Sequence, residues 1–263
     1  MLLVGHKKQW EYLKRSIEND RVAHAYLFYG PLNIGKKTVA IEFIKLLNCH
    51  NSKVKSCGKC VSCDNFKKEI YPNLFLIKPE PPENNKDDKG SNLAVRINQI
   101  SKLKSGLSLS SSDSGYKAAI IDGADAMTYD AQGSLLKILE EPKGKTVIII
   151  IAEQADQLLS TIVSRYQLIR FDLMRAEYIK ESLEENNVPK ELAQEISWLS
   201  FGRPGLAIEY YKNPELVELQ KKRITDFLKL SKAPLVTRFK YAEILSKDTA
   251  VMHSSMDTWI SYL

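Results

Sequence analysis

Gly30-Pro31-Leu32-Asn33-Ile34-Gly35-Lys36-Lys37-Thr38 follows the apolar run Ala25-Tyr26-Leu27-Phe28-Tyr29 and precedes Val39, Ala40, Phe43, Ile44 and Leu47 at helical spacing. An apolar strand, a glycine-bearing turn and a helix form the opening unit of a parallel α/β domain. The turn has the form of a phosphate-binding loop. Gly30 and Gly35 let backbone N–H groups face phosphate oxygens, and Lys36 stands where a lysine reaches the terminal ones. The following position normally offers a Ser or Thr hydroxyl to Mg²⁺, but here it is Lys37, and the hydroxyl arrives one residue late at Thr38. One step along a helix turns a side chain by about 100°, so Thr38 does not project where the metal ligand belongs. The stretch predicts a nucleotide-binding architecture with altered metal chemistry.

Working outward, Leu74–Ile77, Lys117–Asp122, Thr146–Ile151 and Gln167–Phe171 read as further strands, the third of them the most hydrophobic in the chain. Helices are expected over about 95–107 and 128–140, the latter stopping near Pro142, and residues 79–92 read as a polar loop. Strands alternating with helices imply a parallel sheet covered on both faces. From Met174 onward the pattern is helical only, punctuated by Asn186-Asn187-Val188-Pro189 and Phe201-Gly202-Arg203-Pro204-Gly205. Trp198, Leu199 and Phe201 are expected to be core residues there. The reading is an α/β domain over 1–173, a small all-α domain over 174–212 and a further helical segment over 213–263.

Composition narrows the class. The 263 residues carry a formal charge of +6 spread along the chain, 44% hydrophobic and 27% charged residues, as in ordinary soluble proteins. No apolar run approaches the roughly 20 residues that span a bilayer. The N-terminal residues do not form a secretory signal, so a cytoplasmic, non-membrane protein is expected. The charge permits a nucleic-acid partner without pointing to one.

All four cysteines fall together, as Cys49 and the run Cys57-x2-Cys60-x2-Cys63. Close Cys-x2-Cys spacing lets thiolates converge on one ion, and four sulfurs suit a closed tetrahedral structural zinc site. Disulfides suit a cytoplasmic chain poorly, and the Cys-Pro of the ferredoxin run is missing. Asp122, ending a buried strand, occupies the place of a Walker B acid. The Glu that would activate water beside it is replaced by Gly123, and Asp125 reads as a helix cap or surface acid. Lys37 and Gly123 thus fall on the metal and the general base, and both argue against hydrolysis at this site.

Ala131-Gln132-Gly133-Ser134-Leu135-Leu136-Lys137-Ile138-Leu139-Glu140-Glu141-Pro142 resembles the NALLKTLEEP helix of bacterial clamp-loader AAA+ subunits. Thr161-Ile162-Val163-Ser164-Arg165-Tyr166 resembles their Ser-Arg-Cys motif, with Tyr166 in place of Cys. With the cysteine cluster after the loop helix, His24–Phe28 before the loop and Gly202-Arg203-Pro204-Gly205 beyond, the chain resembles the delta-prime type over about residues 1–212. The resemblance implies an AAA+ P-loop domain with a zinc insertion (49–63), a helical lid domain and the start of a collar domain over 213–263.

It further implies a subunit of the DNA polymerase III clamp loader, working with tau/gamma and delta subunits, the sliding clamp and primed DNA. Arg165 would be an arginine finger acting in trans, a planar cation set against the neighbour's γ-phosphate. The chain's own site, Gly30, Gly35, Lys36, Thr38 and Asp122, would be degenerate and not an active ATPase by itself, with ATP or ADP binding left open. The sensor position after Thr146–Ile151 holds Ala152 and Glu153, and Gly205 stands where motors place a phosphate-sensing Arg. An active tau/gamma-like motor is the alternative. A stand-alone DNA-binding module using Lys102 and Lys104 is a third, against which a solvated helix face is the plainer reading.

Overall fold

A computed structural model describes residues 5–51, 56–68, 73–82, 93–108, 115–141 and 144–263. Pro142 and most of the 79–92 loop lie outside the described residues. The chain forms two compact units, Met1–Asp172 and Leu173–Leu263.

The first unit is built on five parallel strands: β1 (Ala25–Tyr29), β2 (Leu74–Ile77), β3 (Lys117–Asp122), β4 (Thr146–Ala152) and β5 (Gln167–Arg170). Their order across the sheet is β2-β3-β4-β1-β5, with each neighbouring pair parallel. All seven residues of β4 are buried, while the edge strands β2 and β5 keep exposed positions. That is why β4 reads as a continuous β-branched run and β5 barely as a strand.

Alternate residues feed two cores, as the two-residue strand period requires. Ala25, Leu27, Ala119, Ile121, Ile148 and Ile150 face one side. There they meet Ile100 and Leu103 of α4 (Ile97–Ser108), Leu135 and Leu139 of α5 (Tyr129–Glu140), and Ile162 of α6 (Ser160–Val163). Tyr26, Phe28, Ile120, Ile149 and Ile151 face the other side. They pack on Leu13 and Ile17 of α1 (Lys7–Glu18) and on Val39, Phe43 and Ile44 of α2 (Lys36–Leu47). α3 (Val61–Lys67) starts directly after Cys60 and carries Cys63. Helices α1, α3 and α6 were not among the expected elements; the other bounds shift by a residue or two.

Lys117, buried at the start of β3, donates from Nζ to the Leu107 carbonyl at 3.0 Å and so satisfies the end of α4. Thr128 caps α5 by accepting from the Ala131 N–H at 3.3 Å.

The second unit contains α7 (Ala176–Glu185), α8 (Lys190–Leu199), α9 (Pro204–Lys212), α10 (Pro214–Ser231), α11 (Leu235–Ser246) and α12 (Thr249–Tyr262). Its core joins Ile179, Leu183, Ala193, Ile196, Ala207, Tyr210 and Val217. Trp198 is not core, against expectation: it is 66% exposed. Ala193, Ile196 and Ser197 define the buried stripe of α8, and Trp198 lies two steps, about 200°, around the helix from Ile196. Leu199 and Phe201 are partly buried. Trp259 donates from Nε1 to the Arg223 carbonyl at 2.9 Å, tying α12 to α10.

Candidate functional site

The ends of β1, β3 and β4 lie side by side, where open parallel sheets bind ligands beyond the carboxyl ends of their strands. The phosphate loop joins β1 to α2. Gly30 adopts φ +141, and a Cβ there would stand 2.0 Å from the Phe171 carbonyl oxygen, so only glycine fits. Its N–H donates to the Glu153 carbonyl at 3.1 Å, fixing the loop to the exit of β4. His6 holds the other side: its Nε2 meets the Ile34 carbonyl at 2.8 Å, and its ring packs edge-on against Phe171.

Both lysines of the loop are committed to the protein itself. Lys36 is buried, and its Nζ donates to the carbonyls of Gly30 and, at 2.7 Å, Pro31. Burial lowers its pKa, offset by the nearby charges of Glu153, Asp125 and Asp122. Lys37 forms an ion pair with Asp122, Nζ to Oδ2 at 3.0 Å, with each side chain about one-third exposed. An ammonium therefore sits on the carboxylate that a P-loop protein reserves for the magnesium shell. Thr38 is partly buried on the same first turn of α2.

Gly123 directly follows Asp122, the last residue of β3. It lies at φ +88, and a Cβ would approach Pro79 Cγ at 2.9 Å. A general base there would need a strained backbone as well as a new side chain. Asp125, expected as a helix cap or a surface acid, keeps only the second part of that reading. It caps no helix; its carboxylate accepts from the backbone N–H groups of Glu153 at 2.8 Å and Gln154 at 3.4 Å. The turn that follows β4 is thus pinned by an acid, and Ala152 is buried.

Arg165 lies outside this cluster, two residues past α6. Its Nη1 donates to the Thr161 carbonyl at 2.9 Å and its Nη2 to Glu140 Oε1 at 2.8 Å. The next residue, Tyr166, is buried in the sheet's core with a hydroxyl that has no partner among the described residues. Burial pushes that hydroxyl's pKa upward. Arg203 sits in the helical unit and donates from Nη1 to Ser261 Oγ at 3.0 Å. Lys102 and Lys104 are exposed on α4.

The four cysteines converge. Their sulfurs all lie within 4.8 Å of one another, and the thiols are free. Cys57 and Cys63 are 3.9 Å apart, sulfur to sulfur; a tetrahedral ion bound at about 2.3 Å spaces its sulfurs by ~3.8 Å. Backbone N–H groups of Cys57 and Cys60 point at the sulfurs of Cys49 and Cys57, each at 3.3 Å. Such donors stabilise thiolates; the N–H groups of Lys59 and Cys60 lower the Cys57 thiol to about 6, whereas burial raises Cys63 to about 12. The cluster could hold a metal ion.

Residues 5–175, well over half the chain, match a family model described as DNA polymerase III, delta subunit. The chain belongs to that family. This delta'-type chain is 33% identical over 212 residues to DNA polymerase III subunit delta' of Bacillus subtilis (strain 168), covering 81% of this chain and 61% of that protein. It is 33% identical over 187 residues to the delta' subunit of Pseudomonas aeruginosa, covering 69% and 54%. The tau subunit of B. subtilis is 29% identical over 174 residues, covering 66% of this chain and 28% of tau. The delta'-type chain thus spans less than two thirds of the length of the relatives it matches.

The Thermotoga maritima RuvB Holliday junction branch migration motor superposes with a TM-score of 0.50 at 16% identity, covering 97% of this chain and 69% of that one. A likeness at that identity shows the fold alone, which is of the AAA+ type. No described helix is long and apolar enough to cross a membrane. The sequence reading missed three contacts: Lys37 with Asp122, Arg165 with Glu140, and Asp125 with the β4 exit. Each joins residues 25 or more positions apart. Only the oddness of Lys37 signalled any of them beforehand.

Proposed function

We propose that this chain is a delta'-type subunit of a cytoplasmic DNA polymerase III clamp loader. It works in a ring with tau/gamma and delta-type subunits that places the sliding clamp on primed DNA. Its own nucleotide site is idle, and Arg165 serves as an arginine finger for the ATP held by a neighbouring subunit. The observation that carries this reading is the Lys37–Asp122 ion pair at 3.0 Å, which puts a fixed cation where a working site needs exchangeable magnesium. Gly123, against Pro79, supports it from the side of the general base.

Arg165 has what a finger needs: a planar, permanently charged group with N–H bonds to spare, outside the core and outside its own loop. Cys49, Cys57, Cys60 and Cys63 would hold zinc with all four positions taken, so the metal shapes the insertion and takes no part in phosphate chemistry. The test is nucleotide binding and steady-state ATPase of the purified chain with primed DNA, followed by Arg165→Ala in the reconstituted loader. The expected result is no turnover by the chain alone and a collapse of DNA-stimulated turnover in the variant loader. Turnover by the isolated chain, abolished by Lys36→Ala, would make it a tau/gamma-like motor instead.

A further inference from the structure

Arg165 stands at the end of a segment that cannot position it unaided. α6 has only four residues, too few to be stable without outside support. That support comes from the rigid twelve-residue helix α5, and it arrives at both ends. Near the start of α5, buried Gln132 accepts from the Leu159 N–H at 3.0 Å and donates to the Met127 carbonyl at 3.3 Å, fixing the entry to α6. Ile162 anchors the middle in the sheet's core. At the last residue of α5, Glu140 holds the Arg165 guanidinium itself.

Glu140 has an easier partner that it does not use. Lys137 is three residues earlier on the same helix, the ordinary spacing for a helical ion pair, and lines the same cavity of about 400 Å³. The carboxylate instead reaches Arg165 across 25 positions. The pair is 39% and 53% exposed, so it adds little to stability. What it fixes is orientation. An arginine has five N–H donors. One goes to the Thr161 carbonyl and one to Glu140, and the other three have no protein partner among the described residues.

We propose that Glu140 is the positioning residue for Arg165: from the end of α5 it locks the guanidinium in one orientation, leaving its free N–H edge for a phosphate group on a neighbouring subunit. This rests on the reading of Arg165 as a finger in trans. A side chain as long as arginine loses considerable rotamer freedom when it engages. Glu140 imposes that loss before the neighbour's ATP arrives, so the phosphate meets an aimed cation. Glutamine keeps an acceptor oxygen of the same reach and should preserve the aim, while alanine releases it.

The test uses the loader reconstituted with this chain, ATP and primed DNA, and four variants: Glu140→Ala, Glu140→Gln, Arg165→Ala and the Glu140→Ala/Arg165→Ala double. A misaimed group costs about tenfold to 100-fold, so Glu140→Ala should lower kcat by that factor with KM for ATP unchanged. Glu140→Gln should retain most of the rate. The double variant should be no slower than Arg165→Ala alone, because both changes remove one function. The melting temperature of Glu140→Ala should match the parent, as suits an exposed residue. If Arg165→Ala slows the loader while Glu140→Ala does not, or if the two losses multiply in the double variant, the positioning role is overturned. If Arg165→Ala itself leaves turnover intact, the finger reading falls, and this inference with it.

Discussion

On the proposed reading, Lys37 alters the nucleotide site twice, by standing where a hydroxyl would bind the metal and by supplying a competing cation. Its ammonium neutralises Asp122 at 3.0 Å. A pair one-third exposed is worth only about 0.2–1 kcal/mol, so Lys37→Thr should barely change the melting temperature. It should, however, release Asp122 and restore the hydroxyl, giving Mg²⁺-dependent nucleotide binding without turnover, since Gly123 still offers no base. Calorimetric titration with and without Mg²⁺ checks this; equal affinity in both would show that Lys37 does not control the metal. The substitution itself was plain in the sequence, but its partner 85 positions away was not.

His6 adds a pH dependence. Burial holds its pKa below 6.5, opposed by its bond to Ile34. Once unfolded it titrates near 6.5. The unfolded chain therefore binds more protons just below that pH. The stability linked to this group is full above pH 6.5 and is lost as the pH falls from there through the folded value. His6→Gln, which keeps a side-chain N–H, should flatten that part of the stability curve measured by urea unfolding between pH 5 and about 7. Tyr166→Phe should be neutral or stabilising by up to about 1 kcal/mol, because it removes a buried hydroxyl without a partner. A loss above that in thermal unfolding would reveal a bond the hydroxyl makes.

At the scale of elements, the sheet was legible because each central strand alternates between two apolar faces or is apolar throughout. β4, with every residue buried, left little room for another reading. The edges were harder: β5 shows one buried residue in four, so its pattern is nearly that of a surface segment. α1 was missed because only Leu13, Ser16 and Ile17 of its twelve residues are buried; charge and amide side chains dominate the rest. The cysteine insertion was legible as a possible ligand set, while its fold was not, because three of its four cysteines are only partly buried and apolar periodicity says little there. α3 carries Cys63 and begins at the cap residue Cys60, whose sulfur accepts from the Cys63 N–H. With zinc on the four cysteines as proposed, chelation should release one ion per chain, expose four reactive thiols and melt this seven-residue helix, while the main unfolding transition of the sheet persists. Zinc release with a dye indicator, thiol titration and calorimetry measure the three effects. A single transition lost together with the metal would mean that the insertion supports the sheet.

On the scale of the whole molecule, the residues fall into two sets with different obligations. Lys36, Lys37, Asp122, Asp125 and Glu153 are occupied with one another or with the backbone around the phosphate loop. Arg165 is tied to α5 and α6 and makes no bond with that set. Both sets ride on the first unit, yet the side chains of one do not need the other to be in place. This separation is what a subunit requires if it is to complete a neighbour's ATP site while its own stays silent. It leads to a contrast that a motor could not show. In the reconstituted loader Lys36→Ala should leave DNA-stimulated turnover within about twofold of the parent, whereas Arg165→Ala should lower it by about 10³-fold or more, the usual worth of a finger. Motors lose their own catalysis when the loop lysine goes, because it carries the phosphates. Here that lysine carries only the carbonyls of Gly30 and Pro31. A large loss on Lys36→Ala in the assembled loader, with the protein still folded, would mean that the loop works on nucleotide after all.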